Sequence, residues 1–136
     1  MGTNLQVLYD RFQSKVDEDM YGKESLIFAL VDSAISKSYK DVHHSLKYTL
    51  TDAPVYEGEF NEVLDGDEIE LLALWMKYEW DGREQQKLLK LRDDIGTSDF
   101  NRLPNKMEKV KTITATMKAI REEINDLKDS MNTYKY

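Results

Sequence analysis

The sequence predicts a mainly α-helical protein, a four-helix-bundle-like domain with a long C-terminal amphipathic helix and an extended or β-hairpin-like excursion near residues 40–63. Three observations predict this class. Two amphipathic segments open the chain, a segment that is apolar on nearly every face lies in the middle, and a regular apolar stripe runs along the end. With 136 residues, the chain is expected to form a single domain over 1–136. The expected helices lie near residues 4–17, 23–39, 66–95 and 105–133.

The first two predicted helices are short and amphipathic. Asn4 can cap the first of them, because an Asn side chain accepts a hydrogen bond from the first-turn backbone amides. Apolar residues recur at steps of three and four, in the first helix as Leu5, Leu8, Phe12 and Val16, and in the second as Leu26, Ile27, Leu30, Val31, Ala34 and Ile35. This spacing predicts that each helix buries one face in a core.

The excursion near 40–63 breaks the helical pattern. Residues 45–50 alternate between polar and apolar types and favour a strand, residues 55–60 do so more weakly, and residues 51–54 between them are typical of a turn. A β-hairpin and an irregular loop both fit this pattern. In a helical protein such an excursion is a natural contact for a partner or a neighbouring subunit. We therefore expect interface residues there: Tyr48, Val55, Tyr56 and Phe60.

The third predicted helix has the clearest start signal. Asp65 and Glu68 have the spacing of a capping box, and Leu64 and Ile69 are placed as a hydrophobic staple. The following residues are apolar on nearly every side, so the helix is expected to be central in the domain or covered by another subunit. Asp81–Gly82 is expected to kink or relax it before it ends at Ile95.

The last predicted helix carries an unbroken heptad stripe. Its members are Val110, Ile113, Met117, Ile120, Ile124, Leu127, Met131 and Tyr134. A stripe this narrow predicts a partner helix, either in another chain or in the same chain. The tail beyond it is aromatic, and it can dock on a neighbour or fray. Further interface candidates are therefore Met131 and Tyr134 at the end of the stripe and Lys135 and Tyr136 beyond it.

The sequence offers little for catalysis or for metal and cofactor binding. Without cysteine there is no thiolate nucleophile or zinc ligand, and His43 and His44 are adjacent, so they are expected to be loop residues without a role. The acidic residues near Asp65 do not have the spacing of a calcium loop and are assigned to helix capping. We expect no catalytic, cofactor or metal site and no membrane segment. The net charge of −7 argues against DNA gripping.

Several segments together resemble small neck proteins of tailed bacteriophages that infect Gram-positive bacteria. Residues 59–73 and 75–80 match a pattern of Phe-Asn, an acidic helix cap, Glu-Ile-Glu-Leu-Leu-Ala and a later Glu-Trp pair. Further matches are Leu8, Arg11, Phe12, residues 32–35 and residues 98–100. The chain departs from the pattern after Trp80, where Asp81–Gly82 replaces an expected leucine.

The resemblance implies a head–tail connector, or adaptor, that forms a homo-oligomeric ring, twelvefold in this family. The ring would lie beneath the portal protein and bridge it to the next neck or tail-completion protein. DNA would pass nearby without sequence-specific binding, and the protein would be assembled in the host cytoplasm into the virion neck. It also implies that the C-terminal segment reaches toward the portal. The alternative is a small non-enzymatic regulatory or interaction protein that dimerises through its C-terminal coiled-coil helix.

Overall fold

The computed structural model describes residues 2–51 and 56–134, with side chains through Asn132. The described elements are α1 (Leu5–Gln13), α2 (Glu24–Ser38), β1 (Tyr48–Leu50), β2 (Gly58–Phe60), α3 (Gly66–Ile95), α4 (Thr97–Arg102) and α5 (Lys106–Tyr134). The mainly α-helical class is confirmed. Two boundaries differ from the sequence-based ones, because α1 ends four residues early and the linker after α3 forms the short extra helix α4.

Helix α3 is the centre of the fold. Helices α1 and α2 pack against its first half, and α5 packs along it. All six residues from Leu71 to Met76 are buried, which agrees with their apolar character on every face. Their cover comes from helices of the same chain. Helix α3 continues through Asp81–Gly82 without a break and has 30 residues.

Gly82 lies in the interior of α3, and we expect Gly82→Ala to stabilise the protein. Alanine loses less backbone entropy than glycine in a helix, which is worth about 0.5 to 1 kcal/mol. An added Cβ would lie 3.5 Å from Met117 Cε, an ordinary van der Waals contact. Urea denaturation followed by circular dichroism should show a higher midpoint for the variant. An equal or lower midpoint would show that the helix needs glycine there.

The excursion forms a β-hairpin, which is one of the two alternatives that the sequence left open. Strands β1 and β2 pair antiparallel, with Tyr48 opposite Phe60. The N-terminal residues lie along the other edge of β2, since Thr3 N donates to Glu62 O at 3.1 Å and Phe60 N donates to Thr3 O at 2.7 Å. The hairpin is thereby tied to the start of the chain.

The stripe of α5 packs on α3 of the same chain. Ile120, Ile124 and Met131 are buried, whereas Val110, Ile113 and Met117 are only half-buried. The difference arises because α3, at about 45 Å, is far longer than α1 and α2, which cover only its first half.

We call residues 82–121 the arm: the second half of α3, α4 and the first half of α5. The rest of the chain is the head. In the described part of the chain, we find no helix with the length and hydropathy to cross a membrane.

Candidate interaction surface

Two residues that were predicted for an interface connect the hairpin region to helices α1 and α2. Tyr48 donates its hydroxyl hydrogen bond to Asp32 Oδ1 at 2.7 Å, and Tyr9 donates to Tyr56 O at 2.7 Å. The Phe28 ring lies between them, with centroids 5.6 Å from Tyr48 and 5.1 Å from Tyr56. Burial, followed by nearby acidic charge, raises the pKa of Tyr9 to about 12, and burial with the Asp32 hydrogen bond raises that of Tyr48 to about 12. Both tyrosines therefore remain neutral hydrogen-bond donors.

The remaining predicted interface residues fall in different places. Phe60 is fully buried and Met131 is 5% exposed, both within the core of their own chain. Their assignment to an interface is corrected, because such side chains fill the core and present no surface to a partner. Three candidates, Val55, Lys135 and Tyr136, lie outside the described residues, and Tyr134 is the last residue of α5 with its side chain outside them.

A surface cleft of about 620 Å³ lies beside β1. Its lining residues are Ile35, Tyr39, His44, Ser45, Leu46, Lys47, Tyr48 and Asn61. Tyr39 is 56% exposed although its ring is large and aromatic. Of the interface residues predicted in the excursion, Tyr48 lines this cleft, whereas Tyr56 and Phe60 do not.

Glu68 joins the start of α3 to the loop before β1. Its Oε2 accepts from the backbone amides of His43 at 2.9 Å and His44 at 3.0 Å. Its Oε1 accepts from Asp65 N at 3.0 Å and contacts His44 Nδ1 at 2.6 Å. Asp65 Oδ1 in turn accepts from Glu68 N at 2.9 Å, so the predicted capping box is confirmed. The fully buried carboxylate is thus held by four donors.

The same cluster has the spacing of a metal site. One ligand atom each of His44, Asp65 and Glu68 lie within 4.8 Å of one another. A cation would have to displace backbone amides from a buried carboxylate, so the geometry favours capping and loop closure over metal binding. His44 was expected to be a loop residue without a role, but its ring forms a hydrogen bond with Glu68 of the capping box.

The His44–Glu68 pair has opposite pKa shifts. The hydrogen bond to Glu68 raises the pKa of His44 above its ordinary value of 6.5. Burial acts to raise the pKa of Glu68, but hydrogen bonds from His44 and Asp65 outweigh it and hold that pKa below 4.5. The contact of protonated His44 with Glu68 therefore contributes fully to the free energy of unfolding below about pH 6.5. This contribution is lost as pH rises through the raised folded-state pKa of His44.

We therefore expect His44→Gln to flatten the dependence of stability on pH. The wild type should lose free energy of unfolding between pH 6 and 8, and the variant should lose less over that interval. His43→Gln is the matched control, since His43 contacts Glu68 only through its backbone amide, which the variant keeps. Urea midpoints measured across this interval provide the comparison. Parallel profiles for His44→Gln and the wild type would contradict the assignment.

The arm and the head have opposite charge. The arm contains ten Lys or Arg and five Asp or Glu residues, a net charge of +5. The remaining 96 residues contain nine Lys or Arg and twenty-one Asp or Glu residues, a net charge of −12. Such separation favours association between unlike parts of two molecules.

Two grooves flank the seam between α3 and α5. The first, of about 480 Å³, is lined by Val16, Asp17, Glu18, Lys77, Trp80, Asp81, Glu84, Lys109 and Ile113, and we call it the acidic groove. The second, of about 330 Å³, is lined by Tyr78, Gln85, Thr114, Met117, Lys118, Arg121 and Glu122, and we call it the basic groove. Both contain residues of α3 and α5, but they share no lining residue, and only the acidic groove includes residues 16–18.

Stacked cations and aromatic rings form the wall behind the basic groove. The Arg121 guanidinium lies 4.7 Å from the centroid of the Trp75 ring, and Lys37 Nζ lies 5.1 Å from it. Lys37 also pairs with Glu79. Burial, and then the charge of Arg121, lower the pKa of Lys37. These contacts fix the direction of Arg121, which nevertheless remains exposed at the groove.

In the acidic groove a buried carboxylate has one paired and one unpaired oxygen. Lys77 Nζ donates to Asp81 Oδ1, while Asp81 Oδ2 is buried and has no hydrogen-bond partner among the described residues. Burial raises the pKa of Asp81, and the hydrogen bond from Lys77 opposes that shift. The Asp81 carboxyl is therefore easier to protonate than an exposed one.

Comparison of the chain with protein-family models, with curated proteins and with solved structures finds no match.

Proposed function

We propose that this chain is a structural connector of a tailed-phage virion. It forms a ring beneath the portal, bridges the portal to the next neck or tail component, and leaves a path for DNA. The observation that carries the proposal is the basic arm on an acidic head, because unlike surfaces on one chain suit repeated contacts between copies. The sequence resemblance supports the same function.

The supporting features are those of a binding protein without catalysis. Apolar side chains along the arm are only half-buried, and a neighbouring subunit can cover them. The acidic head repels a DNA duplex, which suits a component beside a DNA path.

The alternative is a regulatory protein that dimerises through α5. It is less well supported, because the α5 stripe already packs on α3 of the same chain, with Ile120 and Ile124 buried. A dimeric coiled coil would have to expose those residues first.

Light scattering on the purified protein, alone and mixed with the portal protein encoded nearest to it, tests the proposal. A ring-sized mass alone, or a large complex that forms with the portal, supports the connector. A dimer that does not respond to the portal contradicts the connector and favours the coiled-coil alternative.

A further inference from the structure

One turn of the head has an exposed aromatic side chain among acidic residues. We call residues 17–22, between α1 and α2, the acidic turn. It contains Asp17, Glu18 and Asp19, all exposed, and Tyr21, which is 88% exposed. An aromatic side chain left this exposed gains by burial in a partner, and tyrosine is enriched among the residues that dominate binding energy.

The backbone of the acidic turn is held in place by several contacts. Met20 is buried as an anchor, and its amide donates to Gln13 Oε1 at 3.1 Å. Gln13 Nε2 donates to Glu18 O at 2.9 Å, and Tyr21 N donates to Asp19 Oδ1 at 2.9 Å. A turn fixed in this way presents Tyr21 with a smaller loss of entropy on binding.

The basic groove has complementary chemistry. Tyr78 and Met117 supply apolar lining, and Lys118 and Arg121 supply positive charge. Its volume of about 330 Å³ exceeds the roughly 150 Å³ that suffices to hold a benzene ring. An aromatic side chain flanked by carboxylates fits this combination of an apolar floor and a basic rim.

The acidic turn and the basic groove are separate surfaces of one chain. Asp17 and Glu18 line the acidic groove and Tyr21 is 88% exposed, so none of these residues occupies the basic groove of its own chain. A chain therefore cannot easily fill its own basic groove with its own turn. Copies placed side by side in one orientation would bring turn and groove together.

We propose that copies of this chain associate side to side, with the acidic turn of one copy seated through Tyr21 in the basic groove of the next. The contact is heterologous, so it repeats from copy to copy and forms a ring if the rotation closes. This inference rests on the proposed function, because it assigns the subunit contact of the proposed ring. The occupant of the groove is thus a second copy of the chain.

Cysteine cross-linking tests the contact, since the chain has no cysteine of its own. The double variant Glu18→Cys/Glu122→Cys places one thiol on the turn and one at the groove, and it keeps Tyr21. Oxidation should give a ladder of covalent oligomers on a non-reducing gel, for the protein alone or in its complex with the portal. An equimolar mixture of the two single variants should give heterodimers. The matched control is Glu18→Cys/Glu123→Cys, because Glu123 is exposed on the same turn of α5 but outside the groove.

Charge reversal supplies an independent readout. Asp17→Lys and Lys118→Glu, each added to the cross-linking variant, should lower the cross-linking yield about tenfold, which corresponds to about 1.4 kcal/mol. The combination of both should restore the yield. Rescue by the combination supports a direct contact between turn and groove, whereas two additive losses contradict it.

The outcomes separate the two proposals. If a ring or a portal complex forms but the double variant gives no ladder, or gives no more than the Glu123 control, the contact is overturned and the connector function stands. If a ladder forms but light scattering gives neither a ring-sized mass nor a complex with the portal, the contact is supported and the connector function is contradicted.

Discussion

Glu68→Ala is expected to reduce the free energy of unfolding by about 3 to 5 kcal/mol, because several hydrogen bonds to one buried carboxylate are lost together. Glu68 is fully buried, and its carboxylate accepts hydrogen bonds from three backbone amides and contacts the His44 ring. Removing the carboxylate leaves these donors without their acceptor, and each unsatisfied buried donor costs about 1 to 3 kcal/mol. The loss includes the capping of α3, the central helix of the fold.

Chemical denaturation of Glu68→Ala and of the control Asp67→Asn measures this effect. Asp67 lies in the same first turn but is exposed, so its substitution should change stability by less than about 1 kcal/mol. Hydrogen exchange adds a local readout, because the His43 and His44 amides should lose protection in Glu68→Ala beyond the loss expected from the change in global stability. A variant within about 1 kcal/mol of the wild type would show that the cluster contributes little.

The capping box could be predicted from the sequence, whereas the rest of the Glu68 cluster could not. Asp65 and Glu68 are three residues apart, and local spacing determines a helix cap. The amides of His43 and His44 reach the same carboxylate from 25 and 24 residues away, through the path of the excursion. Nothing in the local sequence encodes that path.

The structure of the excursion could likewise be predicted only in part from the sequence. Alternation and turn residues made a hairpin one of two alternatives, because a strand pattern and a turn are local signals. The side of the hairpin on which each residue lies depends on the packing against α1 and α2. Phe60 was therefore assigned to an interface although it lies in the core, and the exposed Tyr21 in the acidic turn was not identified.

Charge separation can be read from the sequence alone, since residues 1–70 contain six Lys or Arg and fifteen Asp or Glu, and residues 105–136 contain seven and five. Its geometry depends on α3 and α5 folding back on each other, which brings Lys118 and Arg121 to one groove. The heptad stripe itself could not distinguish between a helix of the same chain and a helix of another chain, since both bury the same residues.

Ile124→Ala is expected to destabilise the protein by about 3 to 4 kcal/mol, because it leaves a cavity in the head where α5 meets α3. Ile113→Ala is the matched control: it occupies the same stripe and loses the same atoms, but its side chain is only half-buried in the arm. About 1 to 2 kcal/mol is expected there, since the site already contacts solvent. Urea denaturation gives both values, and light scattering gives the mass. An intrachain stripe requires Ile124→Ala to lose more stability than Ile113→Ala with the mass unchanged. Equal losses accompanied by a fall from dimer to monomer would instead show that α5 pairs with a second chain.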